Sequence, residues 1–207
     1  MRNLDKYKGV IPAFYACYDD EGEVSTERTK AFASYLKNAG VKGLYVGGSS
    51  GECIYLEKEE RMRLLEAVVE EVGAELSIIA HVACNNTRES CELARHANSL
   101  KVDAIASIPP IYFKLPDRAI ADYWNEISAS APDCDFVIYN IPQLAGVGLS
   151  LPLYRKMLEN ERVIGVKNSS MPVQDIQIFK AEGGEDHIVF NGPDEQFLAG
   201  RALGADG

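Results

Sequence analysis

Seven times along its 207 residues the chain passes from a short apolar run to an amphipathic helical stretch. The runs are Gly9 to Ala16, VKGLYVGG, LSIIAHV, VDAIASI, DFVIYNI, VIGVK and HIVFNG. Between them lie helix signals. Ser25 stands ahead of Phe32, Leu36 and Ala39, with Gly40 as a stop. Met62, Leu65, Val69 and Val72 recur at helical spacing before Gly73. Asn86 or Thr87 opens a third helix, Ser150 caps a short one with Pro152 in its first turn, and Pro172 begins another. Strict alternation of this kind requires a parallel sheet with helices packed outside it. Two architectures satisfy it, an open doubly wound sheet and a closed (β/α)8 barrel. The polar residues at the strand ends, Ser49, Ser50, Tyr112, Tyr139, Lys167 and Asp194, come from many different strands. An open sheet gathers a site at one switch point, whereas a barrel brings every strand end to one rim. The expectation is therefore a (β/α)8 TIM barrel.

Composition removes several classes of function. A formal net charge of −10, with no cluster of Lys or Arg, argues against nucleic acid as a partner. No apolar run is long enough to span a membrane, and the N-terminus lacks the apolar core of a signal peptide. The five cysteines are odd in number and widely spaced, which suits reduced thiols in a cytoplasmic protein. His81 and Cys84 lack a second spaced pair, so no metal is expected.

Lys167 is the residue with the most chemistry in it. It ends the run VIGVK, whose β-branched residues suit a strand buried on both faces, and no acid lies within several positions of it. Desolvation there lowers an amine's pKa, which is what attack on a ketone and Schiff-base formation need. The plain alternative is a strand-end lysine that snorkels to solvent. The turn GGSSGE, Gly47 to Glu52, offers successive N–H groups and the hydroxyls of Ser49 and Ser50, a nest for a carboxylate or phosphate, or else simply a tight strand-to-helix turn. Tyr139 is either a core tyrosine or a phenol that shuttles protons beside the amine. Tyr112 either orders that phenol, meets a neighbouring subunit, or covers the rim. Asp194 and Glu195 are either acceptors for sugar hydroxyls or first-turn acids favoured by the helix dipole.

GGSSGE, YNIP and GVKNSS, in this order and spacing, resemble the N-acetylneuraminate lyase and dihydrodipicolinate synthase superfamily of class I aldolases. The resemblance runs from the first strand to the last residue. It implies a (β/α)8 barrel with further C-terminal helices, assembled as a homotetramer. It matches Lys167 to the Schiff-base lysine, Tyr139 to the catalytic tyrosine, Ser49 and Ser50 to the pair that binds the pyruvate carboxylate, and Tyr112 to a loop tyrosine of the synthase branch. The synthase branch carries an arginine after YNxP that binds a second carboxylate. Leu144 stands there instead, and a leucine makes no such ion pair. A leucine at this place, a hydroxyl two residues after the lysine (here Ser169) and the NG-x-DE run are similar to the sialate lyase branch. There Gly192, Asp194, Glu195 and Ser169 correspond to sugar contacts.

The activity this implies is reversible cleavage of N-acetylneuraminate to N-acetylmannosamine and pyruvate, with sialic acid and pyruvate as the partners and no metal or organic cofactor. Its rivals are another pyruvate aldolase of the family, acting on a 2-keto-3-deoxy sugar acid or as a dihydrodipicolinate synthase, and a barrel that only binds pyruvate or a sialate. Residues 1–207 read as a single barrel domain, incomplete at the C-terminus. The final GADG looks like the start of strand eight, so the expectation is a barrel truncated there, with strands one and seven flanking at most a stub. The family resemblance puts the whole at roughly 290 to 310 residues, where a typical barrel needs about 250. Standing alone, such a piece is expected to be poorly soluble and nearly inactive.

Overall fold

The structure, a computed structural model, describes residues 3–207. Six parallel strands form one sheet in sequence order: β1 (Gly43–Val46), β2 (Ser77–His81), β3 (Ala104–Ser107), β4 (Asp135–Asn140), β5 (Val163–Asn168) and β6 (Ile188–Asn191). Helices α1 (Thr26–Asn38), α2 (Lys58–Val72), α3 (Thr87–Ser99), α4 (Asp117–Ala129), α5 (Pro142–Ala145), α6 (Leu151–Leu158), α7 (Gln174–Gly183) and α8 (Phe197–Ala202) connect and follow them. This is the wall of a (β/α) barrel. The capping signals act where the sequence places them. The hydroxyl of Ser25 accepts from the Arg28 amide, the Asn86 amide oxygen from Glu89 and the Ser150 hydroxyl from Leu153. Glu57 and Glu60 close a reciprocal capping box on α2.

One expected strand does not form as such. Residues 10–14 run extended beside β1, joined by Lys42 N–H to Val10 O, Tyr45 N–H to Pro12 O and Phe14 N–H to Tyr45 O, but only Ala13 makes a ladder pairing, with Tyr45. Pro12 has no N–H to give, so the ladder stops after a single rung. At the other side of the sheet, residues 205–207 take the place between β6 and this segment. Asp206 donates to Val189 O, Asn191 donates to Gly207 O, and Gly9 donates to Asp206 O at 3.0 Å. The expected gap thus holds a three-residue stub that joins the two flanks by backbone hydrogen bonds.

Side chains alternate between two cores. Outward residues such as Leu44, Ile78, Ile105, Phe136, Val163 and Val189 pack under the helices. Inward residues, among them Tyr45, Ile79, Ala104, Val137, Tyr139, Ile164 and Phe190, fill the barrel. Tyr7, fully buried, plugs the end where the strands begin, its hydroxyl within hydrogen-bond distance of both the Asp103 carbonyl and the Asp135 carboxylate, either of which can accept its one proton.

The alternation breaks once, on β5. Phe136 pairs with Val163 but Val137 pairs with Gly165, so Ile164 is an extra residue in a bulge. Without it, Lys167 would fall on the helix side, because Ile164 faces inward and three steps reverse the face. With it, Val166 faces out and Lys167 faces in, opposite Tyr139. Gly165 is required for this. Its φ is +149°, and a Cβ there would lie 1.8 Å from the Ile188 carbonyl oxygen.

Candidate active site

Lys167 and Tyr139 are register partners on adjacent strands. The Lys167 amine lies 3.7 Å above the centre of the Tyr139 ring and 4.6 Å from that of Tyr45. Burial pushes its pKa below the ordinary lysine value, against the charge-favouring interaction with Tyr139; no acid takes part in the balance. A lowered value favours the neutral form of the amine, the form that acts as a nucleophile.

Two buried residues frame this pair, and neither was singled out as a site residue from the sequence. Tyr45 packs edge-on against Tyr139 at 5.5 Å, and His81 does so at 5.9 Å. The Nδ1 of His81 lies 2.9 Å from the Gly47 carbonyl and donates to it in the neutral tautomer. Burial, then the nearby Arg61 and Lys167, depress its pKa to about 3, so the ring is neutral at physiological pH. Arg61 is itself buried and donates to the carbonyls of Ala83 and His81, and its Nη1 lies 3.2 Å from Cys84 Sγ. The His81 ring thus pairs with Gly47 and the Cys84 thiol with Arg61. Among the described residues no group of three or more His, Cys, Asp or Glu is arranged to hold a metal ion.

The GGSSGE turn lies against the same cluster. A Cβ on Gly48 would come within 2.7 Å of the Tyr45 ring, so glycine is what lets the turn rest on that ring. Ser49, Ser50 and Gly51 make one short 3-10 turn, Ser50 exposed and Ser49 partly so. The amides of Gly51, Glu52 and Cys53 turn back onto the carbonyls of Gly48 and Ser49. The amides of Ser49 and Ser50 have no part in those bonds.

Beyond Lys167 the strand ends form a polar network. Asn140 and Asn168, last in β4 and β5, are register partners, and Asn140 Nδ2 donates to Asn168 Oδ1 at 2.7 Å. Asn168 donates to the Ser170 hydroxyl, which donates to Asp175, while the Leu149 amide donates to Asn140. Ser169 is buried, and a Cβ on Gly192 would overlap its hydroxyl at 1.9 Å, so the two are in direct contact. Asp194 and Glu195 are exposed on the 3-10 turn that follows. Leu144 is on α5 and 60% exposed.

Tyr112 stands apart. It is 88% exposed, has a φ of +85° and packs edge-on against Phe113. The neighbours of the Tyr139 ring are instead Tyr45, His81 and Lys167, so within this chain Tyr112 does not order that phenol. A cavity of about 580 Å³ opens among Cys53, Arg61, Cys84, Asn85 and Ile111, and neither Lys167 nor Tyr139 lines it.

Residues 6–207 match the model of the dihydrodipicolinate synthetase family. The chain is 64% identical over 207 residues to N-acetylneuraminate lyase of Mediterraneibacter gnavus, covering all of this chain and 66% of that protein. It superposes on the sialic acid aldolase of Ruminococcus gnavus, in its catalytic lysine mutant, with a TM-score of 0.98, again at 64% identity, covering all of this chain and 68% of the other. On CdNal from Clostridium difficile, in complex with mannosamine, the TM-score is 0.91 at 34% identity, with 97% and 69% covered. A parallel barrel with a lysine turned inward against a tyrosine and this pattern of relatives defines the class. The chain belongs to the dihydrodipicolinate synthetase family. It spans about two thirds of the length of the relatives it matches.

Proposed function

We propose that this chain carries the Schiff-base centre of an aldolase that cleaves N-acetylneuraminate reversibly to N-acetylmannosamine and pyruvate. The observation that carries the reading is the β5 bulge, which turns the desolvated Lys167 inward onto Tyr139. Lys167 adds to the C2 ketone of the open-chain sugar, and loss of water leaves a protonated imine. That cation takes up the electron pair of the C3–C4 bond as the C4 hydroxyl loses its proton. The enamine is then protonated at C3 and hydrolysed to pyruvate. Tyr139 relays protons at the amine and the hydroxyl. The hydroxyls and free amides of Ser49 and Ser50 hold the carboxylate. Ser169, Gly192, Asp194 and Glu195 line the path of the sugar chain, and Leu144 leaves it without a second cation. The imine is the electron sink, so the reaction calls for no metal or organic cofactor. The identity to the Mediterraneibacter gnavus lyase supports the choice of substrate.

The same reading makes the protein cytoplasmic and homotetrameric, with the exposed Tyr112 and Phe113 facing a neighbouring copy. Its test is turnover measured side by side on N-acetylneuraminate, on a 2-keto-3-deoxy sugar acid and on pyruvate with aspartate semialdehyde. Preference for N-acetylneuraminate is expected; preference for the semialdehyde overturns the assignment.

A further inference from the structure

Tyr45 is a buried titratable residue for which the mechanism above has no use. Its hydroxyl is buried and has no hydrogen-bond partner. No side chain or backbone group of the described residues orients that hydroxyl. Its ring, by contrast, is placed with care. One face lies 4.6 Å from the Lys167 amine, the ring packs in a T-shaped pair with Tyr139, and Gly48 gives up a side chain to make room for it. With Tyr139 at 3.7 Å, the amine is flanked by two aromatic rings.

The electrostatics of the centre say what two rings are for. When Lys167 adds to a ketone, takes up one proton and expels water, its nitrogen becomes part of an iminium and carries a full positive charge in a desolvated site. Among the described residues no Asp or Glu side chain pairs with that nitrogen; burial and Tyr139 are the protein's influences on its protonation. The buried Arg61 guanidinium acts on His81 in the same cluster. His81 is neutral and supplies no counter-charge. The substrate's own carboxylate is tied up by the Ser49–Ser50 turn, and the ring faces are what the protein itself sets against the nitrogen; their attraction for a cation shielded from water is substantial.

We propose that Tyr45 is a further catalytic residue, whose ring face, and not its hydroxyl, stabilises the iminium formed on Lys167. The proposal rests on the Schiff-base reading of Lys167. The ring acts at the nitrogen itself and favours the iminium over the neutral amine and free ketone. The chemical class it selects is any cationic imine, irrespective of the sugar attached.

The test is borohydride trapping with pyruvate as the probe, read by intact mass across a pyruvate titration. Tyr45→Phe keeps the face and is expected to stay within about threefold of the wild type in the pyruvate concentration giving half-maximal trapping. Tyr45→Leu is expected to raise that concentration about 10- to 30-fold, the size of a desolvated cation–π contact. A leucine in so packed a place also risks the fold, so the deciding series is phenylalanine and its mono-, di- and trifluoro analogues at position 45. These hold the shape while draining the ring face, and each fluorine is expected to weaken trapping further. A flat fluorine series overturns the role of the ring, as does a Tyr45→Phe that loses as much as Tyr45→Leu. If the wild type itself is not trapped by pyruvate, the Schiff-base reading has failed first; if it is trapped and the series is flat, only the role of Tyr45 falls.

Discussion

Two neighbouring regions at the strand ends are built on opposite principles. The network from Asn140 through Asn168 and Ser170 to Asp175 is polar and closed on itself, each member hydrogen-bonded to the next at 2.6–2.9 Å. The cluster of Lys167, Tyr139, Tyr45 and His81 is aromatic and left open. The Tyr45 hydroxyl and His81 Nε2 are buried without partners, and the Lys167 amine has ring faces rather than an acid beside it. A satisfied buried network stiffens the scaffold, because breaking any member strands the others. An aromatic cluster instead sets ring faces against a cationic nitrogen without pairing it with an acid. The polar network holds the ends of β4 and β5 in register, and the aromatic cluster uses that register to keep an amine against a phenol.

The comparison predicts that changes in the two regions fail in different ways. Tyr139→Phe is expected to slow turnover on the order of 10²-fold or more, with the fold as stable as before, because a proton relay is lost and no packing. Asn168→Ala is expected to lower unfolding stability by on the order of 2 kcal/mol, since it leaves Asn140 and Ser170 short of a partner. Steady-state kinetics and urea unfolding on both variants check this. If Tyr139→Phe unfolded early and turned over normally, the assignment of roles would be reversed.

Much of this was readable in the sequence, and the remainder has identifiable causes. The helix caps at Ser25, Asn86 and Ser150 depend on neighbours within four residues, so local pattern suffices. Lys167 was recognisable by its apolar setting, but not the face it takes, because a one-residue bulge at Ile164 sets that face and VIGV is apolar at every position but its glycine. The segment from Gly9 to Ala16 has a strand's composition, yet Pro12 leaves it with one rung. Tyr45 and His81 stay hidden in a linear reading because their value comes from β1 and β2 facing Tyr139 across the barrel. The asparagines did leave a trace: each of β4, β5 and β6 ends in one, at Asn140, Asn168 and Asn191, and the three are in register.

A further effect separates the regions by pH. The folded-state pKa of His81, about 3, lies below the unfolded value near 6.5. Between those values the unfolded chain binds a proton that the folded chain refuses, so stability falls as pH drops through that window, by at most about 1.4 kcal/mol per unit. Above about pH 6.5 the residue contributes no pH dependence. His81→Gln keeps a donor for Gly47 and removes the titration. Unfolding free energies measured from pH 7 to pH 4 are expected to fall less steeply in this variant. An unchanged slope would mean that His81 is protonated as readily folded as unfolded.

The central claim is that the β5 bulge makes Lys167 the reacting amine. Its most direct test is to reduce the protein with borohydride in the presence of pyruvate and locate the added mass by peptide mapping. The account predicts one adduct per chain, on the peptide holding Lys167, and none in Lys167→Ala. An adduct on a different lysine, or one that persists in Lys167→Ala, would contradict it.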